Sequence, residues 1–155
     1  MIRTERLVLR PIDPEGDVDA VHSWQSLPEV ARYTPFEPRT REEVAASLAR
    51  PTVARLLVLL DEVPIGDAML LRRDPADPLE VGYELHPDHW GRGYATEICR
   101  ALVELATERF PDEPLAATID PANVASRVVL ERCGFVETGT GTDELGPFVS
   151  FTLRT

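Results

Sequence analysis

Apolar and polar positions change period several times along the chain, and each change marks an expected element. In residues 79–85, Val81, Tyr83 and Leu85 alternate with Glu80, Gly82 and Glu84, the period-two pattern of a strand. His86-Pro87-Asp88 stops it, because proline cannot donate to a ladder and forces an extended residue before itself. The period then becomes helical. Ala95, Ile98, Cys99, Leu102 and Ala106 share one face, while Thr96, Glu97, Arg100, Glu104 and Thr107 share the other. Between strand and helix stands Trp90-Gly91-Arg92-Gly93-Tyr94-Ala95.

The same reading extends along the chain. Residues 3–10 form a first strand closed by Pro11, and a turn at residues 13–17 leads into an amphipathic helix carrying Val18, Val21, His22 and Trp24. Pro28 closes that helix, residues 29–33 make a short helical piece, and residues 34–38 make a rigid loop. Thr40 and Glu43 have the spacing of a capping box for a helix that Pro51 ends. Residues 54–60 and 65–71 are apolar strands with a hairpin-like connection at 61–64, followed by a polar, proline-rich loop at 72–78. Proline at 111 and 114 breaks the long helix before a strand at 115–119. The next helix starts around Asn123, turns Val124, Val128 and Leu130 inward, and ends at Gly134 as a C-cap glycine. Strands at 135–136 and 148–153, separated by a loose loop at 138–147, complete an order β-α-α-β-β-β-α-β-α-β-β. That is an α/β (mixed α+β) pattern without internal repeats.

Composition narrows the classes. A chain of 155 residues, 43% hydrophobic and 28% charged, suits a single globular domain over residues 1–155. The net charge of −11 argues against direct nucleic-acid binding, since no basic stripe is present to release counterions. No apolar run approaches the roughly twenty residues that span a bilayer, so no membrane partner is expected. The polar N-terminus lacks a signal-peptide core, which makes the expected compartment cytoplasmic. Cys99 and Cys133 lack metal spacing and fall on apolar helix faces, as buried reduced thiols do; no metal site is expected. His22 reads as a solvated or core-edge histidine.

The turn between strand and helix carries chemistry. The first N–H groups of a helix have no intrahelical partner, and the dipole places partial positive charge there. Gly91 and Gly93 remove the Cβ atoms that would hold an anion away, and Arg92 adds charge. An ordinary tight turn would use the same glycines. The segment is neither a Walker loop nor a Rossmann fingerprint, having neither Gly-Lys-Ser/Thr nor a third glycine.

Trp90 to Ala95 resembles the Q/R-x-x-G-x-G/A pyrophosphate loop of the GNAT acyltransferase superfamily, with Trp90 where many members carry Gln or Arg. The run Trp90-Gly91-Arg92-Gly93-Tyr94-Ala95-Thr96-Glu97 resembles the RimJ/RimL-type N-acetyltransferase branch, as do residues 4–11 and 123–135. The resemblance implies a mixed six- to seven-stranded sheet with helices on both faces, its two central parallel strands splaying after residues 80–85 and 115–119. It implies acetyl-CoA as co-substrate. Leu85, His86 and neighbouring backbone would hold pantetheine, while Trp90, Gly91, Arg92, Gly93, Tyr94, Ala95 and Thr96 would hold the pyrophosphate. Asn123-x-x-Ser126 matches the branch's Asn-x-x-Ser. Because the position seven residues after Asn123 is Leu130 and not tyrosine, Ser126 inherits the proton donation to the leaving thiolate; Asn and Ser are equally ordinary caps.

The expected reaction is direct acetyl transfer to a primary amine, with the α-amine of a protein or peptide N-terminus as the first reading. Small-molecule amines, and a non-catalytic acyl-CoA-binding module, are the alternatives. Catalytic candidates are Ser126, Asn123 and, as base, Glu84, with His86 and Asp88 flanking it. Substrate-binding candidates are Trp24, Tyr33, Phe36 and Tyr83. Together with Glu29, Glu37, Glu42 and Glu43, these aromatics suit a cationic acceptor. The expected assembly is a monomer or homodimer.

Overall fold

In the computed structural model, which describes residues 1–153, the chain begins with β1 (Ile2–Arg3) and β2 (Val8–Pro11). Helices α1 (Val18–Gln25), α2 (Pro28–Ala31) and α3 (Arg41–Ala49) follow, and then β3 (Ala54–Leu60), β4 (Val63–Leu71) and β5 (Leu79–Leu85). A 3-10 turn at Pro87–His89 precedes α4 (Tyr94–Arg109), β6 (Leu115–Ile119), α5 (Val124–Arg132), β7 (Phe135–Asp143) and β8 (Gly146–Leu153). All strands join one mixed sheet of eight, ordered β1-β2-β3-β4-β5-β6-β8-β7.

Eight strands exceed the expected six to seven because residues 3–10 do not form one strand. Thr4 and Leu7 close a turn, with the Thr4 N–H donating to the Leu7 carbonyl at 2.9 Å. The side chain of Glu97 on α4 takes hydrogen bonds from the Thr4 hydroxyl and the Arg6 N–H, and so pulls the segment out of the sheet.

Helices cover both faces, as the resemblance implied. Leu57 faces α1 and α3, packing with Val18, Val21, Trp24, Val44 and Leu48. Its neighbours Leu56 and Val58 point the other way, into a larger core with Ile98, Cys99 and Leu102 of α4 and Leu130 of α5. The Thr40–Glu43 capping box forms, and Gly134 takes φ +93° behind α5. Both cysteines are free thiols.

Several expectations are corrected. Pro28 opens α2 at its first turn and does not close α1. The β3–β4 turn is only Asp61-Glu62, both at positive φ (48° and 69°), so Val63 and Pro64 belong to the strand. Residues 138–147 are no loose loop: β7 and β8 pair from Phe135↔Leu153 to Asp143↔Gly146. Their pattern was invisible because β7 is an edge strand whose residues after Phe135 are nearly all exposed, so burial imposes no alternation. On α5, Val124 (65% exposed) and Val128 (38%) face outward, and Leu130 alone of the expected three is buried.

Trp24 is also corrected. It is fully buried, and its Nε1 donates to Asp67 Oδ2 at 2.6 Å, so its ring belongs to the core and not to an acceptor site. Trp24→Phe keeps most of the volume but strips a buried carboxyl of its indole donor. We expect a loss of about 1–3 kcal/mol in urea unfolding.

The feature that positions the site is the splay. β5 and β6 run parallel but pair only at Leu79↔Leu115 and Glu80↔Ala116. β5 stays paired to β4 as far as Leu85, and β6 pairs with β8 to Ile119. Glu80 sits at the fork, with Thr118 Oγ1 donating to its Oε1 at 2.8 Å and Arg73 Nε to its Oε2 at 2.9 Å.

Candidate active site

The splay exposes a row of backbone groups. His86 N–H donates to the Ile65 carbonyl at 2.8 Å, so Glu84 and Gly82 also turn their peptide groups toward β4. Tyr83 and Leu85 therefore turn theirs into the open side. Trp90 Nε1 donates to the Leu85 carbonyl at 3.0 Å, leaving the Leu85 N–H and both Tyr83 groups facing the gap. Trp90 thus ties the loop back onto the strand while its ring stays 47% exposed.

The loop ends at an open helix terminus. Gly91 and Gly93 adopt φ +73° and +83°, and no side chain caps α4 at Gly93. The N–H groups of Tyr94, Ala95 and Thr96 are thus available to an anion. Thr96, expected on the polar face, is buried, as is Tyr94, whereas Ala95 is half-buried.

Arg6 is a second cation at this loop besides Arg92. Its Nε donates to Glu97 Oε1 at 2.9 Å, its Nη1 donates to the Arg92 carbonyl at 2.9 Å, and its guanidinium lies 4.4 Å over the Tyr94 ring. Burial opposes ionisation of Glu97, but hydrogen bonds from Thr4 and Arg6 outweigh it and hold the carboxyl below its usual range. The sequence placed Arg6 in a strand; nothing local signals that it reaches a loop 86 residues onward and a helix residue 91 onward.

Asn123 and Ser126 open α5. Asn123 Oδ1 accepts from the Ser126 N–H at 3.1 Å, so the asparagine is the N-cap. The Ser126 hydroxyl is free of that bond and lies near the Tyr83 hydroxyl, which is buried without a hydrogen-bond partner among the described residues. Burial pushes the Tyr83 phenol well up, with the Ser126 contact opposing the shift in part. Tyr83 therefore stands beside Ser126 in the splay, on the opposite face of β5 from Glu84.

Glu84 points toward α1. Gln25 Nε2 donates to its Oε2 at 2.8 Å, and the pair borders a small pocket with Val30, Ala31, Thr34, Phe36, Glu37 and Arg39. Phe36 is 51% exposed, but Arg39 already covers its ring at 4.3 Å. Tyr33, beside Arg32 at 5.1 Å, does not line that pocket. His86 Nδ1 accepts the Asp88 N–H at 3.1 Å and so caps the 3-10 turn. Sequence reasoning also passed over Asp67, which stands beside Glu84 on β4. Among the described residues no cluster of His, Cys, Asp and Glu has metal-binding geometry, and no helix is long and apolar enough to cross a membrane.

A sheet that forks beside an uncapped, glycine-led helix is the frame of an acyl-group transferase fold, and comparison with known proteins makes the class definite. Residues 6–136 match the model of the acetyltransferase (GNAT) domain. An uncharacterized N-acetyltransferase, p20 of Bacillus licheniformis, is 30% identical over 88% of this chain and 82% of its own. Among solved structures, spermidine N-acetyltransferase from Vibrio cholerae in complex with CoA and spermine superposes with a TM-score of 0.83, at 18% identity over 97% of this chain and 96% of that one. The ribosomal L7/L12 α-N-protein acetyltransferase RimL in complex with coenzyme A gives 0.80, at 18% identity over 96% and 94%. The chain belongs to the GNAT acetyltransferase family.

Proposed function

We propose that the protein is an acetyl-CoA-dependent N-acetyltransferase acting on a positively charged primary amine, the α-amine of a protein or peptide N-terminus. The observation that carries this reading is the splay. It sets free strand backbone, an uncapped helix terminus and the Ser126 hydroxyl along one path, with Glu84 on the opposite face of the same strand. The residues present fit acetyl-CoA: Tyr83 and Leu85 backbone for pantetheine amides, the α4 terminus with Arg92 and Arg6 for pyrophosphate. When bound, it supplies a thioester acetyl group and a thiolate leaving group.

The chain's own part is modest. Ser126 Oγ gives a proton toward the sulfur position, and Asn123 holds the turn that carries it. Glu84 takes the proton of the incoming amine through water. An α-amine, unperturbed near pKa 8, is about one-tenth neutral at pH 7, whereas a lysine near 10.4 is neutral in under about a thousandth. Glu84, held by Gln25 with no histidine beside it in the pocket, suits the first better than the second.

A second reading, a small cationic amine, is favoured by the small pocket that Glu84 and Glu37 line. Its charge would be met by these carboxylates and not by Phe36, whose ring face Arg39 occupies. Thiol release over a panel of peptides and small amines tests both. We expect the best acceptor to be cationic and its kcat/KM to fall as salt rises, because the −11 charge attracts it. Glu84→Gln should cost about tenfold in kcat/KM for the amine while leaving KM for acetyl-CoA unchanged. A neutral or acidic best acceptor, or indifference to salt, would overturn the acceptor assignment.

A further inference from the structure

We propose that Asp67 is a positioning residue kept as the neutral carboxylic acid, donating its proton to the Glu84 carboxylate and so aiming it at the acceptor pocket. The inference rests on the reading of Glu84 as the acceptor-side base, and it adds a residue that the family motifs do not reach.

The strand register puts the two acids together. Asp67 on β4 pairs directly with Glu84 on β5, so both side chains leave the same face, toward α1. Asp67 is 2% exposed, and among the described residues its one nitrogen donor is Trp24 Nε1, at 2.6 Å. Glu84 is half-buried and bonded by Gln25 at 2.8 Å. Two carboxylates this close, one of them sealed from water, do not both ionise; one keeps a proton.

The surrounding charges decide which. Arg55 on β3 is the cation whose charge favours ionised Asp67, but its Nη1 is turned to the Ser47 carbonyl at 2.9 Å, and among the described residues no ion pair joins it to Asp67. Arg39, between α2 and α3, stacks on Phe36, and Glu37 sits at the rim of the pocket. Burial and then the neighbouring Glu84 hold the Asp67 carboxyl well above the usual range, against the smaller opposing effects of Trp24 and Arg55. The buried acid keeps the proton, and the half-buried Glu84 carries the charge. The pocket floor therefore presents one negative charge, matched to one ammonium group. It also explains why a tryptophan sits behind the site: its N–H is the donor for the acid's other oxygen.

Asparagine separates this from other roles, since its amide offers Glu84 a donor and Trp24 an acceptor, as the protonated acid does. Asp67→Val should lower kcat/KM for the amine about tenfold with KM for acetyl-CoA unchanged, and Asp67→Asn should restore most of the loss. Wild type at pH 7 should show the infrared carbonyl stretch of a protonated carboxyl, and Asp67→Asn should lack it. Stability supplies an independent sign. The unfolded chain releases the Asp67 proton above about pH 4, while the folded chain keeps it, so wild-type stability falls as pH rises through that window. The Tm of wild type relative to Asp67→Asn should therefore climb as pH is lowered from 7 toward 5.

An asparagine variant as impaired as valine would mean that an ionised Asp67 does the work, and valine matching wild type would reduce Asp67 to core filling. A missing infrared band with a flat Tm difference would overturn the protonated acid. Should Asp67→Val not fold, the infrared and Tm comparisons with Asp67→Asn still decide. If Glu84→Gln leaves turnover intact, the assignment of the base fails while these two measurements continue to report on the proton.

Discussion

Gly93→Asp removes the thermal stabilisation that acetyl-CoA gives the wild-type protein. A ligand that binds only the folded state, at a hundredfold excess over its dissociation constant, stabilises it by about 2.7 kcal/mol. Gly93 is the residue at which the proposed binding is tested. Its φ of +83° lies where a side chain costs about 1–2 kcal/mol, and its carbonyl accepts the Glu97 N–H at 3.2 Å as α4 begins. A Cβ there would stand 3.3 Å from Arg6 Nη2, so an aspartate carboxylate would pair with Arg6 and sit among the free N–H groups of Tyr94 to Thr96. It would neutralise the cation and occupy the terminus that pyrophosphate needs. Melting curves with and without acetyl-CoA check this, and a mutant that keeps the wild-type ligand shift would remove the loop from the binding site.

The second large effect falls on rate and not on binding. Ser126→Ala should lower kcat by about tenfold to a thousandfold, because the hydroxyl acts on charge that develops as the thiolate departs. Affinity for acetyl-CoA should hardly change. Stability should hold as well, since the cap on α5 uses the Ser126 backbone N–H on Asn123 Oδ1, which alanine retains. That separation is what the structure contributes: the capping role of the serine is backbone, so the substitution tests the hydroxyl alone. The Tyr83 hydroxyl lies nearby but is buried without a hydrogen-bond partner among the described residues, so the substitution takes no bond from it. Equal turnover for wild type and Ser126→Ala, measured where chemistry limits the rate, would return Ser126 to a structural role.

What was legible in the sequence is what is local. The strand–loop–helix unit of residues 79–106 is there in its periods: Leu79, Val81 and Leu85 are buried on β5, and Ile98, Cys99, Leu102 and Ala106 on α4. Gly91 and Gly93 take the positive φ that their place in the turn demands, and Thr40 and Glu43 close the box that their spacing announces. The order of motifs placed the chain in its family. Each of these depends on residues within a few turns of one another, where backbone geometry alone decides which side chains share a face.

Only the tertiary structure could settle the rest, because those contacts join residues far apart in sequence. Trp24 has the aromatic character of a ligand wall, yet register brings Asp67 beneath α1, and a buried carboxyl takes its N–H. Arg6 becomes a second cation beside the glycine loop because Glu97 holds the 4–7 turn against α4. β7 pairs with β8 along its length although exposure left no period to read, and Val124 and Val128 turn outward because Leu130 takes the buried place on α5. The sequence by itself determined where a glycine-led helix terminus stands open; packing between distant strands and helices determined which acids lie side by side and which aromatic rings are buried.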